Sequence, residues 1–319
     1  MQQGKGKMYY RVIRLLVVFP TVFAASVQAQ DAWSVSPLDD LLREIDLATG
    51  TTVSQVVMTL SGETISKTTG LTVHPQTGEL WAVLKLNGQF GHELVKIDPD
   101  TGMCTDVGNT GDKFAAIVFD DDGTLYGLTG NGAAIESTLY TINTDNGSKT
   151  FLLALGNGTE GEALGYNPDD GMLYHTSGNG IPNTHEIFES IDLDTLAVTS
   201  IPLSGDDFNL TRTLTYDGKG AFYHSGPPLY RITTNGVVTF LTTIDHITKG
   251  IVLFPTPKPD VQGDCDDDGD VDLDDYACFV SCVLGPAQGL PAKCEPFDFD
   301  NDNDVDLEDF GGFQSAFRD

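Results

Sequence analysis

A chain of 319 residues with 17 lysines and arginines against 47 aspartates and glutamates carries a formal net charge of −30. Nucleic acid and anionic membrane surfaces repel such a polyanion, so neither is expected as a partner. The length exceeds one ordinary domain, and an apolar fraction of 40% with 35 glycines and no heptad pattern points to cores built from short strands and turns.

The chain opens on Lys5, Lys7, Arg11 and Arg14, then an apolar run over 15–25 and the small-residue pattern Val27-Gln28-Ala29. This order predicts a secretory signal peptide over 1–29, with Met8 as an alternative start. The run is shorter than the roughly 20 residues a bilayer span needs. An uncleaved anchor is the alternative. The expected location is secreted or cell-surface, in a bacterium, with no membrane span after cleavage.

Residues 31–254 repeat. One phrase, a short apolar strand, a polar turn and a second apolar strand, starts at Gly70, Ala116, Ala163 and Thr213. A second phrase follows each, as in Leu94-Val-Lys-Ile-Asp-Pro-Asp-Thr-Gly102 and Leu139-Tyr-Thr-Ile-Asn-Thr-Asp-Asn-Gly147. Alternating apolar and polar residues make strands, and the Asp, Asn and Gly clusters make hairpin turns. A fourth strand fits after each second phrase, for example over 150–155. Four short strands per unit are the blade of a β-propeller. A fifth first strand at Gly250 lacks partners after it, and residues 32–50 supply partners with no first strand before them. Joining the ends predicts a closed five-bladed β-propeller, with a β-sandwich as the alternative. The region resembles secreted bacterial propellers of the NHL and WD type, a resemblance that implies architecture and not activity.

Pro255, Pro257 and Pro259 then forbid a continuing sheet and predict a stiff linker over 255–262.

The last segment, 263–319, is expected to be a small α-helical calcium-binding domain. From 260 onward the chain holds 18 acids against Lys293 and Arg318, more than half of the whole net charge. The acids stand in register. Asp264, Asp266, Asp268, Asp270 and Asp275 fall at positions 1, 3, 5, 7 and 12 of an EF-hand-type loop, with Gly269 at 6, Val271 at 8 and Asp272 at 9. Asp298, Asp300, Asp302, Asp304 and Asp309 repeat the set, with Asn303 for the glycine, Val305 at 8 and Asp306 at 9. Calcium takes six to eight hard oxygens, and alternate positions of a tight loop point inward, so two Ca2+ ions are the expected cofactors. Tyr276, Phe279, Val280, Val283 and Leu284 then mark one face of an exit helix that Gly285-Pro286 stops. Phe310, Phe313 and Phe317 mark a second helix, weakened by Gly311-Gly312. Cys265, Cys278, Cys282 and Cys294 allow three pairings. Cys282–Cys294 with Cys265–Cys278 is the expected one, because it staples the connector between the loops. Tetrahedral zinc competes poorly where the neighbouring donors are carboxylates. Cys104 is left over as a buried or idle thiol.

These two loops, the Cys282–Cys294 connector and Phe310-x-x-Phe313-Gln314 resemble a type I dockerin. The resemblance implies docking to a cohesin-like or cell-surface protein. Leu273-Asp274 and Leu307-Glu308 stand where cohesin-binding dockerins carry Ser/Thr-type residues.

No metalloprotease, serine-hydrolase or nucleotide-binding motif is present. The loops expected at the propeller mouth, 86–93, 129–138, 176–186 and 224–228, hold His92, Glu93, Glu136, His185, Glu186 and His224. The histidines are read as turn or surface residues, and Trp33 and Trp81 as core. The expected role is a secreted, non-catalytic binding or scaffold propeller for a glycan or protein ligand, joined to a calcium-dependent interaction module. The alternative is a polysaccharide-active hydrolase or lyase, for which Asp112, Glu162 and Asp207 would have to converge.

Overall fold

The computed structural model describes residues 31–156, 162–178, 186–207, 212–226, 228–254, 262–265, 271, 273–286, 288–291 and 294–317. The expected leader and nearly all of the expected linker lie outside them. Strands β1 (Asp31–Val35), β2 (Leu41–Asp46) and β3 (Thr51–Val57) open the first blade. The second blade is β4 (Ile65–Val73), β5 (Leu80–Leu86), β6 (Glu93–Ile97) and β7 (Cys104–Asn109). The third is β8 (Phe114–Phe119), β9 (Leu125–Thr129), β10 (Thr138–Ile142) and β11 (Lys149–Ala154). The fourth is β12 (Ala163–Asn167), β13 (Met172–Ser177), β14 (Ile187–Asp192) and β15 (Val198–Ser200). A short β16 (Ser204–Gly205) then pairs in parallel with β20 (Val237–Thr243) of the fifth blade, which also holds β17 (Thr213–Tyr216), β18 (Ala221–Ser225) and β19 (Pro228–Thr233).

Each blade is an antiparallel meander. The last strand, β21 (Gly250–Leu253), pairs antiparallel with β1 from Ala32↔Leu253 to Val35↔Gly250, so both ends of the repeat build one blade. The inner strands β21, β4, β8, β12 and β17 adjoin one another in turn around the ring. This closed five-bladed propeller is the architecture the repeats predict. Pairing with β21 covers the edge of β1 that would otherwise lie open. The core lies between blades. Trp81 and Val83 of the second blade pack on Phe114 and Phe119 of the third, with the Trp81 and Phe119 rings edge to face at 5.7 Å. Tyr174 and Phe188 of the fourth meet Phe222 and Tyr230 of the fifth. A fully buried aromatic of this kind contributes about 1.5–3 kcal/mol.

The turn after the third strand is built alike in the first four blades. Gly50 N–H donates to Asp46 O at 2.7 Å and Gly102 N–H to Asp98 O at 2.8 Å, both glycines at φ above 70°. A Cβ at either would collide with a carbonyl of the preceding blade, Thr243 or Val57. In the fourth blade Leu196 occupies this place, donating to Asp192 O at 2.8 Å with φ 56°. The left-handed region costs an L side chain about 1–2 kcal/mol, against about 0.5–1 kcal/mol for glycine's extra chain entropy. Leu196→Gly is therefore expected to stabilise the propeller by about 0.5–1 kcal/mol. An unchanged or lower urea midpoint would contradict the strain account.

The C-terminal segment holds helices α1 (Leu273–Cys282) and α2 (Leu307–Ala316) and a 3-10 turn at Glu295–Phe297. The helices begin and end 34 residues apart, and their contacts obey the same offset. Phe279 stacks on Phe313 at 4.8 Å, Tyr276 faces Phe313 at 6.3 Å, and Phe310 faces Phe279 at 5.7 Å. Val271 and Val305, at position 8 of the two loops, are both buried in this core. The expected helix face is only partly inside: Phe279 is buried, whereas Tyr276, Val280 and Leu284 are exposed. Two short helices pressed face to face leave the flanks of each stripe in solvent.

The disulfides are Cys265–Cys278 and Cys282–Cys294, the expected pairing, and Cys104 is free and buried. The first disulfide has a counterpart: 34 residues on, Phe299 lies against Gly312, where any Cβ would collide with its ring. Gly312 inside α2 thus makes room for an aromatic where the first repeat has a disulfide.

Candidate functional site

Two places gather functional side chains. The first is the pair of acidic loops. In the second loop, carboxylate oxygens of Asp298, Asp300 and Asp302 lie within 4.8 Å of one another, and those of Asp304, Asp306 and Asp309 do likewise. Asn303 takes φ 70°, the left-handed turn expected at position 6, and Asn301 takes φ 60°. Asp298 accepts the Asp302 N–H at 3.1 Å and the Asn303 N–H at 3.0 Å, folding the loop around position 1. Asp309 accepts the Phe299 N–H at 2.7 Å and the Asp306 N–H at 2.8 Å, and Asp306 caps α2 through the Glu308 N–H. Like neighbours tell on Asp300, whose carboxyl is pushed above its ordinary value by desolvation and then by Asp302, Asp309 and Asp298. The donors are all oxygen and dense in charge, which fits a hard divalent cation. In the first loop the Cys265 N–H donates to Asp275 at 2.6 Å, the counterpart of Phe299 to Asp309. Asp264 and Asp275 are buried there, while Asp266, Asp268 and Asp270 lie outside the described residues. Beside the helices, Leu273, Tyr276, Phe310, Phe313, Gln314 and Phe317 line an open apolar groove of about 390 Å³.

The second place is one mouth of the propeller channel. Antiparallel pairing puts the loop ahead of each inner strand beside the loop after its neighbour. The residues one place before the repeat's first phrase are Thr69 and Ala115, already within β4 and β8, and Glu162, Arg212 and Lys249, directly ahead of β12, β17 and β21. Glu162 is fully buried and accepts from His175 Nε2 at 2.5 Å, while His175 Nδ1 donates to Glu189 at 2.8 Å. Burial pulls this imidazolium down, but hydrogen bonds to Glu162 and Glu189 outweigh it and raise His175 to about 9. Lys249 Nζ donates to the Glu162 carbonyl at 2.8 Å, joining the first blade to the fourth across the mouth. Burial, with repulsion from Arg212 and Lys67 working against the pull of Glu162, brings Lys249 down to about 7.

The expectation that the loop histidines are turn or surface residues is corrected for His92 and His224, both buried, as is His175 on β13. Strand alternation turns His175 on β13 and His224 on β18 inward, whereas His92 precedes β6 and is held by its bond to the Phe114 carbonyl at 2.9 Å. Burial, then Lys67, holds His92 near 4, and burial with Lys249 nearby holds His224 near 3. His185 lies outside the described residues. The three candidate acids do not assemble into a free carboxylate pair. Asp112 is buried, paired with Lys149 at 2.6 Å and bonded to the Lys113 and Ala134 N–H groups. Glu162 is held by His175, and Asp207 is exposed. Trp81 is core as expected, whereas Trp33 is half-buried on Phe254, ring centroids 4.4 Å apart, at the rim of a groove of about 270 Å³.

Sequence reading missed the Glu162–His175–Glu189 chain. The signal was present in part, because His175 and Glu189 are register partners on β13 and β14.

No model of a known protein family matches the chain, and no curated protein matches it. Among solved structures, a protein of unknown function from Bacteroides caccae is 13% identical, with TM-score 0.48, covering 71% of this chain and 99% of that one. The nidogen/laminin complex gives 12% identity and TM-score 0.48, covering 71% and 98%. A gluconolactonase from Xanthomonas campestris gives 14% identity and TM-score 0.45, covering 70% and 79%. The class is thus set by the chain's own geometry, a five-bladed β-propeller followed by a disulfide-bearing pair of helices. Among the described residues no helix is long and apolar enough to cross a membrane.

Proposed function

We propose that the chain is an exported binding protein in two parts, a non-catalytic propeller that holds a ligand at its mouth and a calcium-dependent, dockerin-like module that docks it to a cohesin-like or cell-surface partner. The observation that carries the reading is the internal equivalence of the two loops. The bonds from Cys265 to Asp275 and from Phe299 to Asp309 hold position 2 to position 12 in both, the closure a twelve-residue calcium loop needs. Exposed Leu273 and Leu307 stand at matching helix starts and offer apolar contact to a protein partner. Of the buried acids, Glu162 and Glu189 are committed to His175 and Asp112 to Lys149, which favours binding over two-carboxylate hydrolysis. Calorimetric titration of the full chain with calcium is expected to return two ions per chain, and one in the Asp298→Asn/Asp309→Asn variant. Absence of stoichiometric uptake by the parent chain would remove the basis for the docking module.

A further inference from the structure

The propeller carries ten lysines and arginines between residues 31 and 254. Four are neutralised by ion pairs: Arg43 with Asp39, Lys96 with Glu79, Lys149 with Asp112 and Arg231 with Asp217. Five of the other six belong to one mouth. Lys67 on β4 and Lys85 on β5 are direct register partners, an arrangement of like charges that a sheet avoids. The Thr69 hydroxyl, two residues on, donates to the Phe114 carbonyl at 2.8 Å and sets Lys67 beside Lys113. Lys249 reaches across to Glu162, and Arg212 precedes the inner strand between them, its Nε buried without a hydrogen bond among the described residues. None of the five makes an ion pair with a described carboxylate. The acids nearby are engaged: Asp112 by Lys149, Glu162 and Glu189 by His175, Glu93 by Asn109 at 2.9 Å, and Glu136 by the Gly132 N–H at 2.6 Å.

From this geometry we infer that the propeller mouth formed by Lys67, Lys85, Lys113, Arg212 and Lys249 binds an oxyanion-bearing ligand, a carboxylate or a phosphate or sulfate group. The inference rests on reading the propeller as a binding module and gives that module its ligand chemistry. On a chain of net charge −30, five basic side chains at one opening, none in an ion pair with a described carboxylate, are the reverse of the average surface. Half-buried like charges raise one another's energy, and an incoming anion removes that repulsion in a setting where water screens little. The repulsion shows in Lys67, whose ammonium is lowered by burial and then by Lys85 and Lys113.

The test is titration of the full chain, stripped of calcium on a chelating resin and kept in calcium-free buffer so that the C-terminal loops stay silent, with inorganic phosphate, citrate and a trigalacturonate. Neutral maltotriose is the control. Saturable binding of at least one anion, weakened about tenfold or more per lysine in Lys67→Gln and Lys113→Gln, is the expected result. The exposed Lys219→Gln should bind as the parent does. The pattern among the three anions tells phosphate chemistry from free and sugar-borne carboxylates. No saturable anion, equal binding of maltotriose, or binding indifferent to both mouth substitutions would overturn the inference. Near-ultraviolet circular dichroism confirms that each variant is folded. Because calcium is absent, this result is independent of the docking module.

Discussion

Removing calcium is expected to unfold residues 262–317 and leave the propeller folded. The segment buries few large side chains, chiefly Phe279, Phe297, Phe313, Val271 and Val305. Units of this size retain only about 3–5 kcal/mol from a hydrophobic core and need staples. The two disulfides, spanning 13 and 12 residues, contribute about 3 kcal/mol each in the chain-entropy account. Against this stand carboxylates gathered within 4.8 Å in the second loop, in a segment where acids outnumber bases 18 to 2. Ions bound only by the folded form stabilise it by about 4 kcal/mol each when free calcium is a thousand times the dissociation constant. Two ions supply about 8 kcal/mol, a contribution of the same size as core and disulfides together, and their loss leaves the carboxylate repulsion unopposed. Scanning calorimetry of the full chain in millimolar calcium should show a small transition beside the large one of the propeller. Chelator should abolish the small transition or lower it by tens of degrees, and move the large one by no more than a degree or two. Superimposable scans in calcium and chelator would sink the coupled-folding account.

The parts legible in the sequence share one property, that their determinants are local. A blade is written in hairpin turns and alternation, so repeats such as those at Ala116 and Ala163 predicted β8–β9 and β12–β13 closely. Ring closure was legible because Gly250–Leu253 lacked partners that Asp31–Val35 could supply. The turn at Asn303 was legible because position 6 of such a loop requires a left-handed residue, the conformation Asn303 takes. What stayed hidden depends on where blades meet. Glu162 reaches His175 only after β12 pairs with β13, and Lys249 reaches Glu162 only after the ring closes. Leu196 hid for a different reason: its phrase ends without glycine, and nothing in the sequence shows that the turn keeps the left-handed conformation regardless.

His175→Gln should destabilise the propeller by about 3–5 kcal/mol, the cost of removing one member of a buried ionic group. Glu162 and Glu189 are buried, and the imidazolium between them is their shared counter-charge, at 2.5 Å and 2.8 Å. Glutamine can hydrogen-bond to only part of that span and brings no charge. Denaturant unfolding at pH 6.5 measures the loss, and a cost under 1 kcal/mol would mean that the chain is not ionic. A pH series makes the sign testable. His175 is raised to about 9, so the folded state holds a proton that the unfolded chain releases near 6.5. Its stabilisation is full below pH 6.5 and disappears as pH rises through 9, on the order of 3 kcal/mol in total. Lys249 acts in the opposite sense: lowered to about 7, it makes folding easier as pH rises from 7 towards its ordinary value. Between pH 7 and 9 the two slopes oppose each other, and the parent protein should show nearly constant stability. Lys249→Met removes the rising branch, so its stability should fall by up to about 1.4 kcal/mol per pH unit across that window. A flat profile in Lys249→Met would show that His175 does not carry the charge the two glutamates require.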